Sequence, residues 1–463
     1  MKGMSSDSLR LTQYTICLGA LLSNLSAGMF NIALVDIADS LQASLPSAQW
    51  VVTVYLLVIS VLLPLMGKLG DRIGRTKVHN AGYFIFLAGA LGCALSPSLP
   101  LLIASRVVQG AGAAMYQATN MALIISVFPK DQRGRALGLI STFVAAGSLA
   151  GPGLGGLVLE WFSWRTGFWL LTALALTAWL LANRLIPKDA PSGAGKPDLA
   201  GAALFAVSLT VLVTSLSLGG SYGWVSWQVL APIIASLAGF LLFTARCLTP
   251  WPGNREPFIQ LRLFREPGIA AGIGVTLVTY LAAFSAQLLL PVFFRSELEL
   301  GPAAAGMIMM GYPLSLVIFS PLFGSLSDKL GTYPLMSAGL LLMAGAAGAM
   351  SFLSASYPVL AVLALIVLLG GSMGMITPPN NSLILGRARK SELGLVSSLI
   401  ALSRNLGMML GTAAGGAALG FRDQALGFRS LFLLCAVLLL LTFAVFALSF
   451  RSSRSKEFRE IEG

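Results

Sequence analysis

Charge is what this chain has least of. Only 10% of its 463 residues are charged, against about a quarter in a water-soluble domain. Acids are scarcer than bases, 18 Asp and Glu against 30 Lys and Arg. There is one histidine, His79, and there are four cysteines, Cys17, Cys93, Cys247 and Cys435. A single histidine excludes most His-dependent catalytic sites, and no His/Glu or Cys pair has metal-ligand spacing. The cysteines lie in or beside apolar runs and read as small packing residues. No Walker loop is present to cradle a nucleotide phosphate. No cofactor or metal is therefore expected, and neither is an enzyme. A sensor is disfavoured too, because no soluble output domain is visible. His79 follows a basic stretch and reads as a helix-end or interfacial residue. No cleavable signal peptide is evident, so the first apolar run reads as a retained span.

Apolar length is what the chain has in abundance. It is 56% hydrophobic with a mean hydropathy of +0.83. A helical span needs roughly 20 apolar residues, and fourteen runs qualify: 14–37, 50–66, 78–95, 99–125, 135–159, 164–185, 199–218, 229–245, 268–293, 303–323, 335–353, 357–377, 393–418 and 428–450. They do not alternate as barrel strands would, so the expected class is an all-α membrane protein. The polar, Pro/Gly-rich stretch 187–197 reads as a linker. Stretch 246–267 reads as an interfacial segment with its core at 257–264, and 451–463 as a loose charged tail. A net charge of +12 invites a nucleic-acid reading, but the positions of the charges oppose it. With a cytoplasmic N-terminus, 24 of the 30 cations fall in cytoplasmic segments. Arg165, Arg295, Arg422 and Arg429 fall outside, and Arg106 and Arg404 lie within spans. That asymmetry predicts both termini inside and no nucleic-acid partner.

The most informative stretch is 67–77, Gly-Lys-Leu-Gly-Asp-Arg-Ile-Gly-Arg-Thr-Lys. Four cations and one acid sit in a turn between two apolar runs. Gly67, Gly70 and Gly74 would let it bend. Asp71 can accept from the neighbouring Arg72 and Arg75 or from the N–H groups of a helix start. An echo with Asp328 and Lys329 occupies 324–331, which points to a duplicated bundle. In run 99–125, Arg106, Gly110, Ala113, Gln117 and Asn120 share one helix face. An arginine inside a span needs a wet cavity or a partner. Run 135–159 carries Gly147, Gly151, Pro152, Gly155 and Gly156, a smooth ridge with a kink-prone proline.

These motifs resemble the major facilitator superfamily, and the run count resembles its 14-spanner drug:proton antiporter family. The 67–77 stretch is similar to the signature loop between helices 2 and 3, the Arg106 stretch to the R-x-x-Q-G motif, and the glycine ridge to the antiporter motif of exporters. The 257–265 stretch is also similar to that group. The resemblance implies two six-helix bundles with two extra central helices, divided as 1–186, 187–266 and 267–463. It implies alternating access in a bacterial inner membrane, with small-molecule substrate, protons and the lipid bilayer as partners. It assigns a cytoplasmic latch to Gly67, Asp71, Arg72, Gly74, Arg75, Asp328 and Lys329.

One departure matters. Members of that family usually carry an acid in the middle of the first helix, and Ser26 stands at that position. Serine does not titrate at physiological pH. The remaining proton-coupling candidates are Asp36, Asp71, Arg106 and Glu160. Asp36 and Asp39 lie ten or more residues beyond Ser26, about 15 Å along the axis. Asp198 and Glu392 begin or precede later helices. The second bundle offers a neutral lining, with Thr276, Tyr280, Ala283 and Gln287 on one face. Pro378 and Pro379 beside Asn380 and Asn381 are expected to break or kink a helix. Arg404 and Asn405 loosely mirror Arg106, and Met307, Met309, Met310, Tyr312 and Phe319 form a candidate apolar wall. The substrate-contact candidates are Ser26, Phe30, Gln117, Asn120, Tyr280, Gln287, Tyr312, Asn380, Arg404 and Asn405. Export of an amphipathic, neutral or anionic compound by proton antiport is expected. The alternatives are uptake or facilitation of a metabolite or vitamin, or lipid movement, with weak or no proton coupling.

Overall fold

The computed structural model describes residues 6–127, 133–189, 198–249, 258–354, 356–388 and 393–462, and no strand occurs among them. The helices are α1 (Ser6–Ile32), α2 (Leu34–Ser40), α3 (Leu45–Ala48), α4 (Trp50–Ile73), α5 (Arg75–Ala94), α6 (Leu99–Val127), α7 (Arg133–Trp161) and α8 (Trp164–Leu185). They continue with α9 (Leu199–Tyr222), α10 (Trp227–Leu248), α11 (Pro267–Ser296), α12 (Pro302–Met309), α13 (Gly311–Leu330), α14 (Thr332–Met350), α15 (Val359–Arg387), α16 (Leu393–Leu419) and α17 (Gln424–Glu462). A short 3-10 turn covers Leu261–Arg265.

Eleven helical segments among the described residues are long and apolar enough to cross a bilayer, against the fourteen expected. The three runs that fall short are α5, α6 and α16. Each is long, but each carries polar groups: Lys77, His79 and Asn80 in α5, Arg106, Gln109, Gln117 and Asn120 in α6, Arg404 and Asn405 in α16.

The chain divides into two compact units. The first comprises Met1–Ser215, Leu230–Gln260 and Phe294–Met307; the second comprises Leu216–Val229, Leu261–Phe293 and Ile308–Gly463. In the first unit α1 packs on α7, α4 on α6, and α5 on α6 and α8. The α1–α7 seam is backbone on backbone. A Cβ added to Gly147 would lie 2.6 Å from the Leu21 carbonyl oxygen, one on Gly151 3.0 Å from Gly28 Cα, and one on Gly155 2.8 Å from the Met29 carbonyl oxygen. Every fourth residue on this face is glycine because apolar side chains gain nothing by leaving lipid, so close van der Waals approach must hold the helices.

The second unit repeats the device. Gly407, Gly411 and Gly415 of α16 press on α11 at Leu277, Leu281 and Leu288. The sequence reading missed this ridge, although its four-residue spacing is legible. Since both units carry one, the ridge belongs to the fold, and Pro152 is what separates the two.

Several expected boundaries move. The 67–77 stretch is not an open turn: α4 stays helical through Ile73 and α5 starts at Arg75. All of the reversal falls on Gly74, with φ of 107°, where a side chain would be strained. Gly331 between α13 and α14 does the same with φ of 84°, at the same offset as the echo (331 − 74 = 324 − 67 = 257). Helix 14–37 breaks at Ala33, and 303–323 breaks at Met310. Pro378 and Pro379 do not end α15, which runs on to Arg387; neighbouring helices can satisfy the backbone groups that proline frees. The charged tail is helical in backbone, since α17 extends through Glu462.

Phe258 and Ile259, expected at the interface, are buried, with Phe258 against Phe205 and Phe243 of α9 and α10. Most of the 187–197 linker and Pro257 lie outside the described residues. His79 is fully buried rather than interfacial, with Nδ1 3.0 Å from Thr119 Oγ1. All four cysteines are buried free thiols.

The tightest seam sets a test. A Cβ on Gly112 would lie 2.6 Å from the Gly82 carbonyl oxygen and would also meet the Phe86 backbone, whereas one on Gly345 meets nothing within 4 Å. Gly112→Val is expected to destabilise the protein by about 3 kcal/mol or more, through overpacking. Gly345→Ala is expected to be neutral or slightly stabilising. Thermal unfolding of the purified protein followed by tryptophan fluorescence separates the two.

Candidate functional site

At the Gly74 break, Arg75 Nε donates to Asp71 Oδ1 at 2.7 Å. Asp71 therefore pairs within its own stretch, and Arg72 is exposed. The exposed N–H groups of the α5 start go elsewhere. Arg75 N and Thr76 N donate to Oδ2 and Oδ1 of Asp189 at 2.7 and 2.9 Å, and Thr76 Oγ1 donates to the Pro187 carbonyl at 2.8 Å. The helix-start acceptor expected at Asp71 is thus Asp189, just beyond α8. Burial alone would raise the Asp189 pKa; the two backbone N–H groups more than offset it and hold the carboxyl below the usual aspartate range. In the echo, Lys329 is exposed; the side chain of Asp328, and Glu392 altogether, lie outside the described residues. Asp198 caps α9 at Gly201 N, 2.9 Å away, and pairs with Arg246 of α10 at 2.8 Å.

The opposite helix ends of the first unit carry the other acids. Asp36 of α2 accepts two hydrogen bonds from Arg295, at 3.0 and 3.1 Å. Glu160, near the end of α7, accepts from the Ala303 backbone N–H at 3.2 Å, in the first turn of α12. Between them α7 and α12 touch at bare backbone: a Cβ on Gly156 would lie 3.0 Å from Gly306 Cα, and the reverse distance is the same. Thus Gly156 differs from the other glycines of its motif. It seats the 294–307 segment rather than α1.

Arg106 is fully buried. Its Nε donates to the Val51 carbonyl at 2.7 Å, and Nη1 donates to Ser26 Oγ at 2.8 Å and to Gln109 Oε1 at 2.6 Å. The rings of Tyr55, Phe30 and Phe168 surround the guanidinium at 4.3, 5.2 and 5.7 Å. Ser26 therefore stands where a carboxylate would meet this arginine, and it offers a hydroxyl. Cation–π contacts contribute about 0.5–2 kcal/mol each, and a hydrogen bond to a charged group about 1.5–3 kcal/mol. Together they can offset a desolvation penalty of several kcal/mol. Phe30 stacks on Phe168 at 3.8 Å, so it is part of the cage wall. Of the same α6 stripe, Gln117 is half-buried and Asn120 is buried.

The second unit holds a small cavity of about 40 Å³, lined by Thr276, Thr279, Tyr280, Ile376, Thr377, Asn380, Asn381, Ile400 and Arg404. Asn380 Nδ2 donates to the Gly272 carbonyl and to Thr276 Oγ1, both at 2.9 Å, which fixes its side chain across α11 and α15. Hydroxyls, amides and one guanidinium line the space, and no carboxylate does. Such a lining hydrogen-bonds a polar or anionic compound and gives a cation no counter-charge.

Of the sequence candidates, Tyr280, Asn380 and Arg404 come together here. Gln287, Tyr312 and Asn405 do not line the cavity; Asn405 Nδ2 donates to the Ala401 carbonyl of its own helix. Thr279, Ile376 and Ile400 were missed, although Thr279 falls three residues after Thr276 and next to Tyr280. The methionine wall does not form as one surface, since Met307 is 59% exposed and Met309 only 3%.

Residues 16–261 and 272–462 match the family model described as Major Facilitator Superfamily. Among similar proteins, the riboflavin transporter RibZ of Clostridioides difficile (strain 630) is 32% identical over 399 residues, covering 86% of this chain and 85% of that protein. The methylenomycin A resistance protein of Streptomyces coelicolor is 29% identical over 404 residues, covering 87% and 84%. The multidrug resistance protein Stp of Mycobacterium tuberculosis (strain CDC 1551 / Oshkosh) is 28% identical over 413 residues, covering 88% and 75%. Among solved structures, a peptide transporter POT in complex with sulfate superposes with a TM-score of 0.71 at 16% identity, covering 95% of each chain. At that identity the likeness concerns the fold alone.

The Asp189 cap is open to a direct test. A carboxylate with a depressed folded-state pKa stabilises above the ordinary aspartate value and loses that contribution as pH falls through the folded value. Asp189→Asn is expected to lower stability at pH 7 by about 0.5–1 kcal/mol, an allowance for its part-exposed position. Unfolding midpoints of wild type and variant should differ at pH 7 and converge in strong acid; a gap that persists unchanged to low pH would remove charge from the explanation.

Proposed function

Because this chain belongs to the major facilitator superfamily, we propose that it exports an amphipathic, non-cationic organic compound by proton antiport, working by alternating access. The observation that carries the substrate class is the acid-free cavity with Tyr280, Asn380 and Arg404 in its wall. Multi-pass membrane transport follows from the family itself. Counting α5, α6 and α16 as spans, and α12 with α13 as one, gives fourteen, the count of the drug:proton antiporter branch. The bodies that move would be 1–186 and 267–463, with 187–266 between them, in a bacterial inner membrane with both termini inside.

In this reading Asp36 and Glu160 carry the coupling. Protonation of Asp36 removes the negative charge that holds Arg295, and protonation of Glu160 weakens its hold on the start of α12. Both changes loosen the 294–307 segment. Asp71 with Arg75, and the Asp189 cap on α5, would steady the other end while this one opens. Gly67, Arg72, Gly74, Asp328 and Lys329 complete the proposed latch. Ser26 of α1, with Gln117 and Asn120 of the α6 stripe, are further contact candidates. Kinship with the methylenomycin A and multidrug resistance proteins supports the export direction.

A second reading has its own support. Ser26 puts a hydroxyl, and no carboxylate, on Arg106, and RibZ is named a riboflavin transporter. Movement of a vitamin-sized ring compound without proton coupling fits both observations.

Everted membrane vesicles distinguish the two. Proton movement is recorded on addition of dyes, antibiotics and riboflavin, under an imposed gradient that can be collapsed. Antiport is expected to give a substrate-triggered proton signal, lost in Asp36→Asn. Tyr280→Ala and Arg404→Ala are expected to weaken apparent affinity about tenfold or more, as loss of a buried polar contact does. Substrate flux indifferent to the gradient would sink the antiporter reading and leave the vitamin facilitator.

A further inference from the structure

Arg106 leaves more donors unanswered than its aromatic cage accounts for. Its Nη1 and Nε are partnered, but Nη2 has no hydrogen-bond acceptor. Gln109, whose Oε1 receives Nη1, leaves its Nε2 equally orphaned, while the Tyr55 ring lies over the guanidinium and its hydroxyl interacts with Ser23, Ser26 and Tyr116. All three side chains are fully buried. Among the described residues no carboxylate forms an ion pair with Arg106. The unanswered groups are an amide N–H and a guanidinium N–H. Both can donate, and they lie on or beside one fixed positive charge in low dielectric. Such a set selects against cations. It also selects against anything that brings only donors. A small acceptor carrying one negative charge satisfies it.

We propose that Arg106 and Gln109, beneath the Tyr55 ring, bind a single small anion, of chloride or carboxylate size, which supplies the counter-charge that Ser26 does not. The site lies in the first unit, apart from the cavity around Tyr280 and Arg404, and it stands whether the chain works as exporter or facilitator. Ser26 decides its character. With a hydroxyl at 26 the negative charge must come from outside the chain. With a carboxylate there, the chain neutralises Arg106 by itself and the site closes.

Ser26→Asp and Ser26→Asn test this as a pair, because the two side chains match in shape and differ in charge. The thermal unfolding midpoint of the purified full chain in detergent is followed by tryptophan fluorescence while sodium chloride or sodium acetate replaces sodium gluconate at constant ionic strength. Gluconate, a bulky hydroxylated anion, serves as the reference. Wild type and Ser26→Asn are expected to show a saturable rise of several degrees with chloride or acetate, and Ser26→Asp a high midpoint that does not respond. A rise with chloride alone identifies an inorganic ion as the occupant. An equal or larger rise with acetate identifies a carboxylate, such as a transported acid would carry. If wild type unfolds at the same temperature in all three salts, or Ser26→Asp responds as wild type does, the proposal is overturned. The wild-type comparison decides by itself if the aspartate variant does not fold. Since the readout is stability and not flux, its failure is separable from failure of the transport reading.

Discussion

A bilayer interior has no water to hydrogen-bond a stranded polar group, so a spanning helix must have its polar atoms answered by the protein. That constraint organises this molecule. Backbone groups are answered inside the helices. Helices then gain little by hiding apolar side chains from an equally apolar solvent, and adhesion falls to close backbone approach. The glycine ridges of α7 and α16 are that adhesion, one in each unit. Several of the few charges can be followed to a partner. Asp36, Asp71, Asp189, Asp198 and Glu160 sit at or near helix ends, where they hold a cation or a helix start, and Arg106 occupies the buried middle of the first unit.

The same constraint explains the division of labour between the ends and the middle. Asp71, Asp189 and Asp198 sit beside helix starts or single-residue breaks, where backbone N–H groups are unpaired and water is near. Asp36 and Glu160 do similar work at the other end, against Arg295 and the first turn of α12. Between the two ends lie neutral hydroxyls and amides with one guanidinium in each unit, Arg106 and Arg404. They differ in setting: Arg106 is sealed by rings, whereas Arg404 faces open space.

Helix class was legible in the sequence because apolar length is a strong signal, although eleven of the fourteen expected runs are long and apolar enough to span among the described residues. Ends were less legible. Gly67 and Gly70 look like turn residues, yet only Gly74 adopts a backbone that needs glycine, and a proline pair in α15 reads as a stop although the helix continues. Long-range partners were not legible at all. Asp189 lies 113 and 114 residues from the N–H groups it caps, and the 187–197 stretch looks like plain linker. Arg106 announced itself as an intramembrane cation, but its cage of Tyr55 and Phe168 comes from helices with no spacing relation to it. Of the cavity, Tyr280, Asn380 and Arg404 could be named from residue type alone; Thr279 required knowing which way α11 turns. The second glycine ridge was visible in the four-residue spacing of 407, 411 and 415 and went unread.

The burial of the four thiols has a practical side. Cys17 and Cys93 are 0% exposed, Cys435 1% and Cys247 6%, so a membrane-impermeant maleimide finds no native target among them. The wild-type chain is already a clean background for site-directed labelling. A single cysteine placed beside Arg295 of the first unit, or beside Lys329 of the second, would report by its alkylation rate any change in local exposure to water, without first rebuilding the protein as a cysteine-free variant.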